Sequence, residues 1–267
     1  MKYWSRSSPR VCATQIWLPV IRATRLPHPI VLGHEGAGIV ESVGADVVKV
    51  APGDSVVLTF LTCGRCKPCR LGRIAHCEKT FPLSFGGARL DGSTATLDAE
   101  GEKVHDHFFS QSSFATYALA NEGNVVKVRS DAPLERLGPL GCGIQTGAGA
   151  VMNALKVAPG TTFACFGAGA VGCSSIMAAR AVGATTIVAI DIVPSRLEMA
   201  KELGATHTIN SKQTNPVEAI RDISAGSRLF AGGLRGPQSV ASGDRSTWIS
   251  RHVRHRRSRA TGHRGEL

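Results

Sequence analysis

Between Thr161 and Asn210 the hydrophobic period switches back and forth in an order that few folds accommodate. Thr161-Thr162-Phe163-Ala164-Cys165-Phe166 is an apolar run suited to a buried strand, and a glycine-rich turn, Gly167-Ala168-Gly169-Ala170-Val171-Gly172, follows it without a gap. A small-residue helix over 170–183, a second apolar strand ending at Asp191, a helix over 194–203 and a short strand over 207–210 complete a βαβαβ series. A helix over 216–223 begins a further unit. Strands alternating with helices in this way predict a parallel, doubly wound sheet covered on both faces. The spacing G-x-G-x-x-G is common by itself, but here it joins a strand to a helix. In that place Gly167 and Gly169 allow a tight turn and the close approach of a pyrophosphate, while Gly172 lets helix and strand pack closely. Asp191, at the end of the next strand, would accept hydrogen bonds from an adenosine ribose and repel a 2′-phosphate, which favours NAD over NADP; its plainer reading is a strand-end turn residue.

The chain before this unit has a different grammar. From Gly33 to about Val128, short Val- and Ile-rich runs are separated by turn formers, and strands are expected at 39–43, 47–50 and 54–58. These runs predict a small barrel-like β domain, interrupted by a loop-rich excursion over 63–107. Inside that excursion Cys63, Cys66, Cys69 and Cys77 fall within fifteen residues. Four thiolates close a tetrahedral zinc shell and leave no open position, so the site they form is structural: it pins a loop with little core of its own. Clustered Cys-x-x-Cys steps suit metal thiolates in a reducing compartment, and the cytoplasm is the expected location.

Leu32-Gly33-His34-Glu35-Gly36-Ala37-Gly38 sets an imidazole beside a carboxylate in a glycine-bracketed turn. A lone histidine there is ordinarily a satisfied core or surface residue. Cys142, in Gly141-Cys142-Gly143, reads by itself as a buried small hydrophobe, as do Cys165 and Cys173. No apolar run approaches the roughly 18 residues that would span a bilayer. The net charge of +11 is unevenly spread: residues 226–267 carry nine Arg against Asp244 and Glu266, which accounts for +7 of it. From residue 226 onward no segment holds helix or strand periodicity.

In this order and spacing, Gly33 to Gly38, the four cysteines, Gly141-Cys142-Gly143-Ile144-Gln145-Thr146-Gly147 and the glycine loop together resemble the zinc-containing alcohol dehydrogenases of the medium-chain dehydrogenase/reductase superfamily. The likeness covers about residues 25–224. Gly138-Pro139-Leu140 through Ala150, His105-Asp106-His107-Phe108-Phe109 and Ser112-Ser113-Phe114-Ala115 look most like the aryl (benzyl) alcohol dehydrogenase branch. The resemblance implies a GroES-like β-barrel catalytic domain over 1–145, an incomplete Rossmann domain over 146–225, and an unpatterned, disordered basic tail over 226–267. It implies a catalytic zinc held by Cys12, His34 and Cys142 with the fourth position for an alcohol, a structural zinc on Cys63, Cys66, Cys69 and Cys77, and NAD. Thr14 would relay the alcohol proton, and Glu35 would be the carboxylate behind the metal. Thr146 and Val171 would flank the nicotinamide, and Gly167, Gly169, Gly172, Asp191 and Arg196 would hold the rest of the cofactor. The partner is a small alcohol or aldehyde, with no membrane; the family is usually homo-oligomeric, but the half of the sheet through which it dimerises is missing here.

Departures from the pattern carry expectations of their own. The aspartate that orients the zinc-bound histidine in the family is Gln15 here, and the spacing from Cys12 to His34 is one residue longer than expected. The strands that normally precede Cys12 are not recognisable, and nor is the family's continuation beyond Ile223. An Arg-rich, pattern-free tail is what shifted reading of a GC-rich gene gives, so both ends are expected to be out of frame. With half of a doubly wound sheet, the first strand is expected to keep an open edge, and the chain to bind its structural zinc but turn over benzyl alcohol weakly or not at all. Two alternatives stand beside this reading: an inactive zinc- or nucleotide-binding remnant, and a nucleic-acid binder using the Arg-rich tail, whose only aromatic residues are Phe230 and Trp248.

Overall fold

Two sheets of opposite grammar organise the chain, one antiparallel and one parallel. The structure, a computed structural model, describes residues 2–4, 26–224 and 229–233. It divides into two compact units, Met1–Cys142 and Gly143–Leu267. The helix that opens at Gly143 belongs to the second unit.

In the first unit β1 (Lys2–Trp4), β2 (Ala37–Ser42) and β3 (Ser55–Leu58) are followed by the cysteine lobe with its short helices α1 (Lys67–Arg70) and α2 (Thr80–Phe85). The hairpin β4 (Thr96–Leu97) and β5 (Lys103–Val104) comes next, then β6 (Tyr117–Leu119) and β7 (Val125–Lys127). The main sheet is antiparallel in the order β6-β1-β2-β3-β7. Its alternation is real: Val40 is buried while its neighbour Ile39 is exposed, and Val40, Val56, Leu58, Ala118 and Val125 form one core.

The strand expected at 47–50 does not form. The amides of Val48 and Lys49 both donate to the Glu122 carboxylate, at 2.7 Å from Val48, and that side chain replaces a strand partner. Val48 is 91% exposed, and only Val50 and part of Val47 reach the core.

The second unit begins with α3 (Gly143–Gly149) and then runs β8 (Thr162–Phe166), α4 (Ala170–Ala181), β9 (Thr186–Asp191), α5 (Pro194–Leu203), β10 (His207–Asn210), α6 (Pro216–Ser224) and β11 (Leu229–Gly233). The strands are parallel in the order β10-β9-β8-β11. Residues alternate between two cores: Phe163, Cys165, Ile187 and Ala189 face one, and Ala164, Val188, Ile190, Ile209 and Ile220 the other. Both faces are therefore covered, as a parallel sheet requires.

Two expectations about the far end of this sheet fail together. Residues 229–233 form a strand, where no strand was expected after 226, and it pairs with β8 from Leu229↔Thr162 to Gly233↔Phe166. The first strand thus has neighbours on both sides instead of an open edge. Five residues carry too short a pattern to announce a strand; the unpaired amides and carbonyls of β8 supply what the local sequence lacks. The rest of 226–267, and with it the disorder expected there, lies outside the described residues.

Candidate metal and nucleotide sites

The cysteine lobe is built by a tight chain path. A Pro in the first turn of α1 and a left-handed Gly64 (φ 68°) and Gly72 (φ 71°) fold residues 63–77 back on themselves. The ligand atoms of Cys63, Cys66, Cys69 and Cys77 all lie within 4.8 Å of one another. Zinc–sulfur bonds run about 2.3 Å, so such a group matches one shared ion. The thiols are held in unequal states. Backbone hydrogen bonds from Arg65 and Cys66 bring Cys63 down to about 6, while burial pushes Cys69 up to about 12. The amides of Cys63 and Cys66 donate to Cys77 Sγ at 3.3 Å and to Cys63 Sγ at 3.4 Å. Amides aimed at sulfur favour thiolate, and the donor set fits a closed structural zinc.

A second group lies in the same unit: the ligand atoms of His34, Glu35 and Cys142 are also mutually within 4.8 Å. Close backbone approach makes this possible. A Cβ on Gly138 would sit 2.3 Å from the Glu35 carbonyl oxygen, and one on Gly141 would sit 1.9 Å from the Leu58 carbonyl oxygen. Only glycine therefore lets the segment before Cys142 lie against the His34 turn and the end of β3. On the other side Gly33, at φ 102°, admits Phe114, whose backbone nitrogen would lie 2.3 Å from an added Cβ. Burial holds the His34 imidazole down at about 4, which keeps it neutral and available as a donor at pH 7. Burial also pushes the Cys142 thiol up to about 11, aided by the Glu35 carboxylate, which is hydrogen-bonded to it. A nitrogen, a sulfur and a carboxylate converging at this distance fit a zinc ion. Cys12 and Thr14, expected to complete this site, lie outside the described residues, as does Gln15.

Aromatic rings wall the histidine. Phe109 stacks at 4.7 Å between ring centroids and 32°, Phe108 meets the imidazole edge-on at 5.9 Å, and Phe85 packs on both phenylalanines. The turn that carries them is strained, with Phe109, Ser110 and Ser112 all at positive φ. Side chains tie it down: Ser110 Oγ donates to Leu83 O at 2.8 Å and Ser112 Oγ to Val31 O at 2.6 Å. Buried Gln111, between the two stretches of this turn that carried the resemblance, also proves to touch the His34 turn; a lone amide in a serine-rich run gave no sequence signal.

The nucleotide motif closes on itself as its glycines require. Gly167 adopts φ 95°, and a Cβ on Gly172 would lie 1.9 Å from the Gly167 carbonyl oxygen. Asp191 is buried and already engaged: Oδ2 accepts from Ala168 N at 2.7 Å, and Oδ1 from Ile192 N and Val193 N at 2.7 and 2.9 Å. Arg196 approaches it at 3.9 Å. Thr146 precedes Gly147, the point where α3 crosses α4 so closely that a Cβ would be 2.3 Å from Val171 O. The structure thus brings Asp191 beside Ala168 and Arg196.

Residues 9–130 match the alcohol dehydrogenase GroES-like domain, and residues 170–230 match the zinc-binding dehydrogenase domain. Similar curated proteins include a geraniol dehydrogenase of Castellaniella defragrans, 51% identical over 203 residues, which are 75% of this chain and 54% of that protein. A probable alcohol dehydrogenase of a Pseudomonas species is 45% identical over 203 residues, 75% of this chain and 63% of its own length. Among solved structures, benzyl alcohol dehydrogenase from Acinetobacter calcoaceticus is 49% identical with a TM-score of 0.77, covering 88% of this chain and 63% of that one. An alcohol dehydrogenase zinc-binding domain protein from Burkholderia ambifaria is 56% identical with a TM-score of 0.78, covering 86% and 61%. The chain belongs to the zinc-containing alcohol dehydrogenases of the medium-chain dehydrogenase/reductase superfamily. It spans between half and two thirds of the length of the curated relatives it matches. No helix among the described residues is long and apolar enough to cross a membrane.

Proposed function

We propose that the chain is a zinc-dependent oxidoreductase that transfers a hydride between a primary alcohol and NAD. The observation that carries this reading is the convergence of His34, Glu35 and Cys142 in the same unit as a separate four-cysteine group. A zinc ion bound there would act as a Lewis acid that lowers the pKa of an alcohol in its open position. His34 would donate a neutral imidazole nitrogen and Cys142 a thiolate, with Cys12 as the third ligand. Glu35 accepts a hydrogen bond from the Cys142 thiol in this structure and would be the carboxylate behind the metal. Thr14 would carry the alcohol proton away. Gly167 and Gly169 leave backbone room for the cofactor pyrophosphate at the start of α4 and Gly172 lets the loop close on the helix, Asp191 would orient the adenosine ribose with Arg196 beside it, and Thr146 and Val171 would flank the nicotinamide.

The substrate class rests on the phenylalanine wall. Phe85, Phe108 and Phe109 around His34 suit a flat, unsaturated group next to the carbinol carbon. Two relatives are named for benzyl alcohol and geraniol, both primary alcohols whose carbinol adjoins an unsaturated carbon. The cytoplasm is the expected setting. The test is NADH production from benzyl alcohol and geraniol by zinc-loaded protein, followed by absorbance, with ethanol for comparison. No NADH from any of the three, in protein shown to hold two zinc ions and to bind NAD, would sink the proposal.

A further inference from the structure

The two donors His34 and Cys142 lie more than a hundred residues apart in the chain, and a hydrogen-bonded path runs from the backbone of His34 to that of Gly141, beside Cys142. Gln111 is 1% exposed. Its Oε1 accepts from Gly36 N at 3.2 Å, and its Nε2 donates to His34 O at 3.1 Å and to Thr59 O at 3.2 Å. Three of the carboxamide's four hydrogen-bonding positions, both N–H donors among them, are thereby used, two of them on the residues that bracket Glu35. From Thr59 the path continues, because its Oγ1 donates to Gly141 O at 3.0 Å, one residue before Cys142. Asn124 braces the same threonine: Nδ2 donates to Thr59 O at 3.2 Å, and Thr59 N donates to Asn124 O at 2.9 Å.

We propose that Gln111 and Thr59 are positioning residues that set the separation of the metal donors His34 and Cys142. The inference rests on the proposed function only in taking these donors as a metal site. The local chain makes such a brace necessary. The His34 turn is flanked by Gly33 and Gly36, and Cys142 by Gly141 and Gly143, and neither donor lies inside a helix or strand. A carboxamide is required at position 111, since a carboxylate accepts from Gly36 but cannot donate to the two carbonyls. Buried to 1% and flanked by the left-handed Ser110 and Ser112, Gln111 has little freedom to leave this position.

The test is cobalt(II) uptake by the full chain, measured by equilibrium dialysis and by the visible bands of the cobalt–thiolate centre. The part abolished by Cys142→Ala defines the site in question. Gln111→Met, which keeps length and volume, and Thr59→Val, which keeps shape, are expected to weaken that part by about 10–100-fold and shift its bands. Thr59→Ser, which keeps the hydroxyl, is expected to retain both affinity and spectrum. Uptake by the four-cysteine group and the thermal melt report folding; if Gln111→Met does not fold, the Val and Ser variants at 59 decide. Wild-type affinity in both Gln111→Met and Thr59→Val overturns this inference and leaves the proposed function standing. If Cys142→Ala takes up as much cobalt as the wild type, the proposed function fails, and this inference with it.

Discussion

The Ala168 amide donates to the Asp191 carboxylate across 2.7 Å, so the residue at the end of β9 holds the glycine loop at the end of β8. The same carboxylate caps the Ile192 and Val193 amides. Asp191→Ala leaves three backbone donors without their partner, at about 1–3 kcal/mol for each donor that stays buried and unsatisfied. Water entering the space would reduce the sum. We expect a clear fall in melting temperature together with at least about tenfold weaker NADH binding, read by fluorescence titration. Unchanged binding would mean that Asp191 serves the fold alone.

Gly172→Ala tests the closure of the loop from the other side. The added Cβ would stand 1.9 Å from the Gly167 carbonyl oxygen, a backbone atom that cannot swing away. Overpacking of this kind costs about 1–3 kcal/mol. The loop, and with it the pyrophosphate position, must shift, so NADH affinity is expected to fall by more than the melting temperature alone would suggest.

Removing metal from the cysteine lobe should unfold that lobe and little else. Of Cys63, Cys66, Cys69 and Cys77 only Cys77 is a buried residue, the others being half-buried, and exposed Leu71, Ile74 and Phe81 show how little core the segment has. Cys77→Ser, or a strong chelator, is expected to make residues 63–89 the first site of proteolytic cleavage while the βα unit stays resistant. Cleavage starting elsewhere would contradict a structural role for the metal.

Asp106 gives a pH signature. Burial would raise its carboxyl, but hydrogen bonds from Ala95 N, His107 and Thr96 Oγ1 outweigh burial and hold it below the usual carboxylate value. A depressed native pKa contributes stability that is present above the unfolded value of about 3.9 and is lost as pH falls through the native value. Wild type is therefore expected to exceed Asp106→Asn in urea stability at pH 6, and the gap to narrow as pH drops below about 4. A constant gap would show that packing, not charge, is at stake.

Phe109 should bear on the choice of alcohol. Its ring lies 4.7 Å from the His34 imidazole. Phe109→Ala is expected to lower kcat/KM for benzyl alcohol several-fold more than for ethanol, a difference of about 1 kcal/mol. Equal losses on both substrates would move the phenylalanine from substrate contact to support of the turn.

Regular segments with long patterns were legible from residues alone. The strands, helices and glycine loop between Thr162 and Asn210 lie where periodicity puts them, since each buries a face that its own sequence displays. Short segments were not. Residues 47–50 alternate like a strand, but the Glu122 carboxylate takes their amides; 229–233 read as tail, but β8 offers them a partner. Gln111 gave no sign at all, because its role depends on three backbone atoms brought in from elsewhere.

The sequence by itself determined the two sheet types and the four-cysteine group, because these follow from residue type and local spacing, whereas His34 and Cys142 were marked as donors only by the family resemblance. Tertiary structure alone decided that His34 and Cys142 share one small volume, that β8 lies inside its sheet, and that Asp191 holds the loop it faces. Each of those depends on contacts between segments distant in the chain. Such contacts are selected by steric room, as at Gly138 and Gly141, and by the need of every buried amide and carbonyl for a partner, and neither is written in a local pattern.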